Sequence, residues 1–161
     1  PGCLHLLDPE LSRENIMVPE LLRSAAKLSA VDLVLTDRNG LTSDPARLFG
    51  NEPQHGWCYY YQKADLARQM GDWEQVVELG EVAFSLGDHP NDPVERLPFI
   101  EGYAHAGRWE DAVSQSGETL AVTPVMQPVL CQLWQRIAAD TEGSLEKQLA
   151  MDEIGVLIQC Q

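Results

Sequence analysis

The tetrapeptide Gly71-Asp72-Trp73-Glu74 returns 36 positions later as Gly107-Arg108-Trp109-Glu110. In each, a glycine stands two residues before a tryptophan that opens a new apolar run. Glycine most readily adopts the left-handed conformation that ends a helix. A helix that stops while another starts a residue or two later has to double back, so each tetrapeptide predicts a helical hairpin. The flanks agree with this. Trp57, Tyr60, Tyr61, Ala64, Ala67 and Met70 recur at three- and four-residue steps, and so do Trp73, Val76, Val77, Gly80, Ala83 and Phe84. Each set lies along one face of a helix. Asp72 is placed to cap the second helix, with Gln75 three residues on as in a capping box, and Gly87 closes it.

The pattern then repeats. Asp92-Pro93-Val94-Glu95 supplies a cap, a proline at the first helical position and an acid at the third. Leu97, Ile100, Tyr103 and Ala104 form one face before Gly107; Trp109, Ala112, Val113, Ser116 and Leu120 form the next. A further step of 36 reaches Gly143, between the helix of Val129, Leu130, Leu133, Trp134 and Ile137 and one starting at Ser144. Thr123-Pro124 opens this third pair as Asp92-Pro93 opens the second. Three glycines in register predict three helix pairs. Pro98 and Pro128 conflict with these boundaries, because a proline inside a helix removes a hydrogen bond and collides with the preceding turn. The helices there either start later or are kinked.

The first fifty residues have another texture. Cys3-Leu4-His5-Leu6-Leu7 and Val31-Asp32-Leu33-Val34-Leu35 are short apolar runs, and Pro19–Leu28 between them has helical composition with Pro19 at a first helical position. Strand, helix, strand is the expectation. Arg38–Gly56, rich in Gly, Pro, Asn and Asp, reads as a long connection. The division expected is an α/β-like appendage over 1–50 and a helical repeat domain over 51–161.

Asp and Glu number 25 against 11 Lys and Arg, a formal charge of −14. Such a surface repels phosphate backbones and anionic lipid, which disfavours nucleic-acid binding. No apolar run is long enough for a spanning helix. The start, Pro1-Gly2-Cys3, lacks a basic-then-apolar leader and looks like an excised or processed segment of something longer.

Cys3, Cys58, Cys131 and Cys160 are too scattered for a disulfide scaffold. Buried reduced thiols are the expectation, with a Cys131–Cys160 bridge open if the compartment is oxidising. Cys3, His5, His55 and Cys58 could in principle ligate zinc, yet their spacing fits no finger pattern, and no metal is expected. There is neither a Gly-x-Ser-x-Gly elbow nor a phosphate-cradling loop. No catalytic residue, cofactor or free-standing enzymatic activity is expected.

Helix pairs with small residues at packing points, an elbow glycine followed by an aromatic, and a closing proline resemble the tetratricopeptide repeat. Tyr60, Ala64, Ala67, Gly71, Trp73, Ala83 and Pro90 carry the likeness in the first pair. Ile100, Tyr103, Gly107, Trp109, Ala112 and Pro124 carry it in the second, and little beyond Gly143 and Leu145 in the third. The resemblance implies a mainly α fold, a right-handed array of about three antiparallel pairs, with peptide binding in a groove lined by the first helices. The groove positions would be Tyr61, Gln62, Asp65, Arg68 and Gln69, then Leu97, Glu101 and His105. With Arg68 its only cation, this groove lacks the basic cluster of carboxylate-binding relatives, so an apolar or basic protein segment suits it better. Ile154-Gly155-Val156-Leu157-Ile158 is apolar where a last repeat should be polar, so the C-terminal helix folds back on the array or docks elsewhere, a second copy included.

Strand-like runs joined to such repeats also look like the water-exposed C-terminal part of some bacterial polytopic membrane proteins. A protein-interaction or structural module of a larger, membrane-attached parent is the leading expectation. The alternative is an accessory domain that shapes an active site in a parent enzyme.

Overall fold

The computed structural model describes residues 2–5, 7, 12, 18–30, 33–34, 47, 50, 54–88, 90 and 92–160. The chain divides into two compact units, Leu7–His55 and a larger one that joins Pro1–Leu6 to Gly56–Gln161. In the smaller unit, α1 (Glu20–Ala25) runs into a tight turn of 3-10 helix at Ala26–Leu28. Pro19 is its N-cap, one residue before the helical position expected of it. Leu33 N–H closes another tight turn onto the Ala30 carbonyl at 3.1 Å. The remainder of the second expected strand, and most of the 38–56 connection, lie outside the described residues.

The larger unit is helical. Its helices are α2 (Trp57–Gln69), α3 (Trp73–Ser85), α4 (Leu97–His105), α5 (Trp109–Val122), α6 (Gln127–Asp140) and α7 (Leu145–Ile158). The described residues contain no strand. Cys3, Leu4 and His5, read above as part of a strand, form none: Cys3 N–H is taken by a side chain, Glu95 Oε1 at 2.6 Å, rather than by a neighbouring strand.

The two glycine elbows have the same geometry. Gly71 and Gly107 hold φ of 73° and 74°. In the first elbow Asp72 N–H reaches the Ala67 carbonyl and Gly71 N–H that of Arg68; in the second Arg108 N–H reaches Tyr103 and Gly107 N–H reaches Ala104. This double closure satisfies carbonyls that the end of a helix leaves without partners. Asp72 Oδ1 then accepts from Gln75 N–H and caps α3.

Gly143 is not a third such elbow, for its φ is not positive. Thr141, extended, ends α6, and the Lys147 ammonium reaches back to the carbonyls of Ala138 and Thr141 at 2.8 and 2.7 Å. A cation does there what the left-handed glycine does elsewhere. Ser144 Oγ caps α7 by accepting from Lys147 N–H.

The prolines fall where helices tolerate them. Turns of 3-10 helix at Pro93–Arg96 and Pro124–Met126 precede α4 and α6, which leaves Pro98 and Pro128 within the first two helical positions. An N–H there has no partner within the helix, so its loss is harmless. The helices begin later than drawn from sequence.

The helices pack as α2 on α3, α4 on both, α5 on α4, α6 on α4, and α7 on α5 and α6. The first helices α2, α4 and α6 thus lie side by side. Trp57, Phe84 and Phe99 meet edge to face with centroids 5.2–5.6 Å apart, and Val129, Leu130, Leu133, Trp134 and Ile137 bury the face expected of α6. A fully buried side chain of this size contributes about 1.5–3 kcal/mol. Met70, expected on the inner face of α2, is 51% exposed.

Candidate functional site

The face formed by α2, α4 and α6 carries the expected groove residues. Four of the eight, Asp65, Arg68, Gln69 and Glu101, are engaged with one another. Asp65 Oδ1 accepts from Arg68 at 2.7 Å, and its other oxygen accepts from Gln69 Nε2 at 3.1 Å. Arg68 lies 3.7 Å from Glu101, which accepts two bonds from Arg136 at 2.8 and 3.1 Å. Charges therefore alternate across three helices in the order Asp65, Arg68, Glu101, Arg136. Asp65 and Glu101 are buried, so the ladder replaces lost hydration by mutual contact. Removing one member of such a set strands a buried charge, at a cost of about 3–5 kcal/mol.

His105 stacks flat on Trp73, with centroids 3.9 Å apart and 7° between planes. Its Nε2 and the Oε1 of Gln69 are buried with no hydrogen-bond partner among the described residues. Burial pushes the His105 imidazole below its ordinary pKa, against the opposing pull of Glu101 and Asp140. Leu97 is half-buried, and Gln62 alone of the eight residues is exposed.

Tyr61 is covered by the chain's own N-terminal segment. Its hydroxyl is 2.8 Å from His5 Nδ1. Burial, then the nearby Asp65 charge, pushes its pKa well up. Cys3 is disulfide-bonded to Cys58 at the start of α2, and Cys131 on α6 to Cys160 beyond α7. The expectation of reduced thiols is thus overturned, because both pairs stand close enough, with Cα atoms 5.2 and 5.6 Å apart, to be bridged. Bonded to each other, Cys3 and Cys58 offer no thiolate for zinc. The segment is further held by Glu95, fully buried, whose two oxygens accept from Cys3 N–H at 2.6 Å and Trp57 Nε1 at 2.8 Å.

Arg136, Trp73 and Glu95 escaped the sequence reading of this face. Arg136 had a signal: Asp65 and Glu101 are one repeat step apart, and Arg136 falls one residue short of the next step. Glu95 had none, since an acid three residues after Asp92 reads as part of a helix start.

A second concave surface lies between the second helices. The Gly107-Arg108 elbow, the start of α5 and the outer side of α7 enclose a cleft of about 470 Å3. Trp109, Val113 and Ala150 form its apolar floor, Leu149 one wall, and Glu110, Glu146 and Glu153 its rim. Arg108 also borders it, but its guanidinium is bonded to Asp111 at 2.7 Å and Glu81 at 2.5 Å, bonds that raise its pKa. Leu149 is 60% exposed and Leu145, one turn earlier on α7, is 70% exposed. Among the described residues, no helix is long and apolar enough to cross a membrane. No protein-family model, curated protein or solved structure matches this chain.

Proposed function

We propose that this chain is a non-catalytic protein-interaction module: a right-handed, tetratricopeptide-like array in a larger, membrane-attached protein, taking an apolar or basic segment of its partner. The observation that carries the reading is the side-by-side packing of α2, α4 and α6, each paired with a following helix, the stacking by which helical repeat arrays build extended binding surfaces. The formal charge of −14 favours basic partners over acidic ones. Two disulfides fit an oxidising compartment, on the outer side of a membrane.

Selection of displayed peptides on the folded, oxidised domain tests this reading. Sequences that mix Lys or Arg with Leu, Ile or Phe are expected to be enriched, and acidic sequences depleted. Failure to enrich any class over the unselected library would sink it.

A further inference from the structure

The interaction surface is the feature that the fold leaves open. On the first-helix face the charged side chains bond to one another, and Tyr61 is covered by His5. The cleft between α5 and α7 holds one such bonded pair, Arg108 with Asp111, and differs elsewhere. Its apolar wall stands in solvent, and Glu110 and Glu153 make no ion pair among the described residues.

Resting on the reading of this chain as an interaction module, we infer that the cleft between α5 and α7 is its docking site, and that its occupant is a basic amphipathic helix. An apolar side chain of that helix sits on Trp109 and Ala150 against Leu149. Lys or Arg one turn away lays its aliphatic stem along Leu145 and Leu149 and brings its charge to Glu146, Glu110 or Glu153. Charge complementarity selects the occupant. Arg108 is already neutralised by Asp111 and Glu81, so the rim as a whole is anionic, and an acidic helix would meet like charge at every turn. Leu145, Leu149 and Val156 follow at intervals of four and seven residues along one exposed stripe of α7, the spacing at which a helical partner contacts a helix.

Three fluorescein-labelled peptides test the inference by anisotropy on the full oxidised chain: an amphipathic Leu/Lys helix, a permutation of the same residues that destroys the apolar face, and an amphipathic Leu/Glu helix. The first is expected to bind, the permuted peptide about tenfold more weakly and the acidic one not at all. Leu149→Ser and the double change Glu110→Gln/Glu153→Gln each lie on the surface, and circular dichroism checks that they fold. Each is expected to weaken the Leu/Lys helix about tenfold, whereas Gln62→Ala on the first-helix face leaves it unchanged.

Loss on Gln62→Ala with none at the cleft would overturn the inference while the module reading stood. So would equal binding of the permuted peptide, which would mark mere charge attraction. No binding of any probe would overturn it too, with the peptide selection deciding the broader reading separately. Finally, sedimentation that shows a dimer abolished by Leu149→Ser would give the cleft to a second copy instead.

Discussion

Between α3 and α4 there is no room for a methyl group, whereas between α5 and α7 the chain leaves a cleft of about 470 Å3. A Cβ on Gly102 would collide with Val76 Cγ1, and one on Gly80 would lie 2.9 Å from Phe99 Cδ1. Each glycine thus receives a side chain from the opposing helix, and the first two pairs interlock by shape. The third pair buries an apolar face of its own, Leu130, Leu133, Ile137 and Ile154 among it, and adds polar bonds: Trp134 Nε1 donates to Ser116 Oγ at 3.0 Å and Arg136 grips Glu101, while the Cys131–Cys160 disulfide ties α6 to the end of α7 within the pair. Shape-locked seams fail as a whole because neither helix can shift alone. A seam with no such glycine interlock and with a cleft along one side can open locally. The comparison therefore predicts one cooperative body made of pairs one and two, and a third pair that loosens first.

The strongest way to break the contrast is to fill the tight seam. Gly102→Ala is expected to destabilise the domain by about 3 kcal/mol, read from urea unfolding, since Val76 is buried and cannot turn away. Adding Val76→Ala should recover part of that loss, and a double variant as unstable as the two single losses summed would show that the seam is not shape-locked.

A smaller effect, about 2 kcal/mol, is expected for Cys131→Ser/Cys160→Ser, which reopens a loop of 29 residues. Amide exchange should then rise in α7 and leave α3 and α4 protected. Uniform acceleration through all six helices would contradict the two-body picture.

The smallest effect concerns acid. Because the folded state holds His105 below its ordinary pKa, its contribution is fully present above the unfolded value near 6.5 and is lost as pH falls through that value toward the lowered one. His105→Phe keeps the stack on Trp73 and removes the titration. The urea midpoint of this variant should fall less than that of the parent between about pH 7.5 and pH 5.5; an equal fall would place the acid sensitivity elsewhere.

Local signals located most of the helices. The Gly71 and Gly107 elbows, the Asp72 cap and the apolar face of α6 were each legible because a helix end or face is determined by residues within one or two turns. Gly143 misled for the same reason: its register matched, but the turn is closed by Lys147, and a long side chain reaching backward leaves no periodic mark. The boundaries at Pro98 and Pro128 were ambiguous because 3-10 turns precede both helices. The charge ladder was half legible. Asp65 and Glu101 share a repeat position, but that they are engaged by Arg68 and Arg136 depends on how close α2, α4 and α6 come, which no local spacing records. The cleft was not legible at all, since it is bounded by residues up to 46 positions apart, from Gly107 to Glu153.

Glu95 makes the seating of one short segment depend on both of the first two helix pairs. Cys3 precedes its disulfide partner by 55 residues and the carboxylate that takes its N–H by 92. Without α2 and the turn before α4, the first cysteine has neither its thiol partner nor its backbone acceptor. The covalent partner of Cys3 thus comes from the first helix pair and its backbone acceptor from the second, so one short segment is fastened to both.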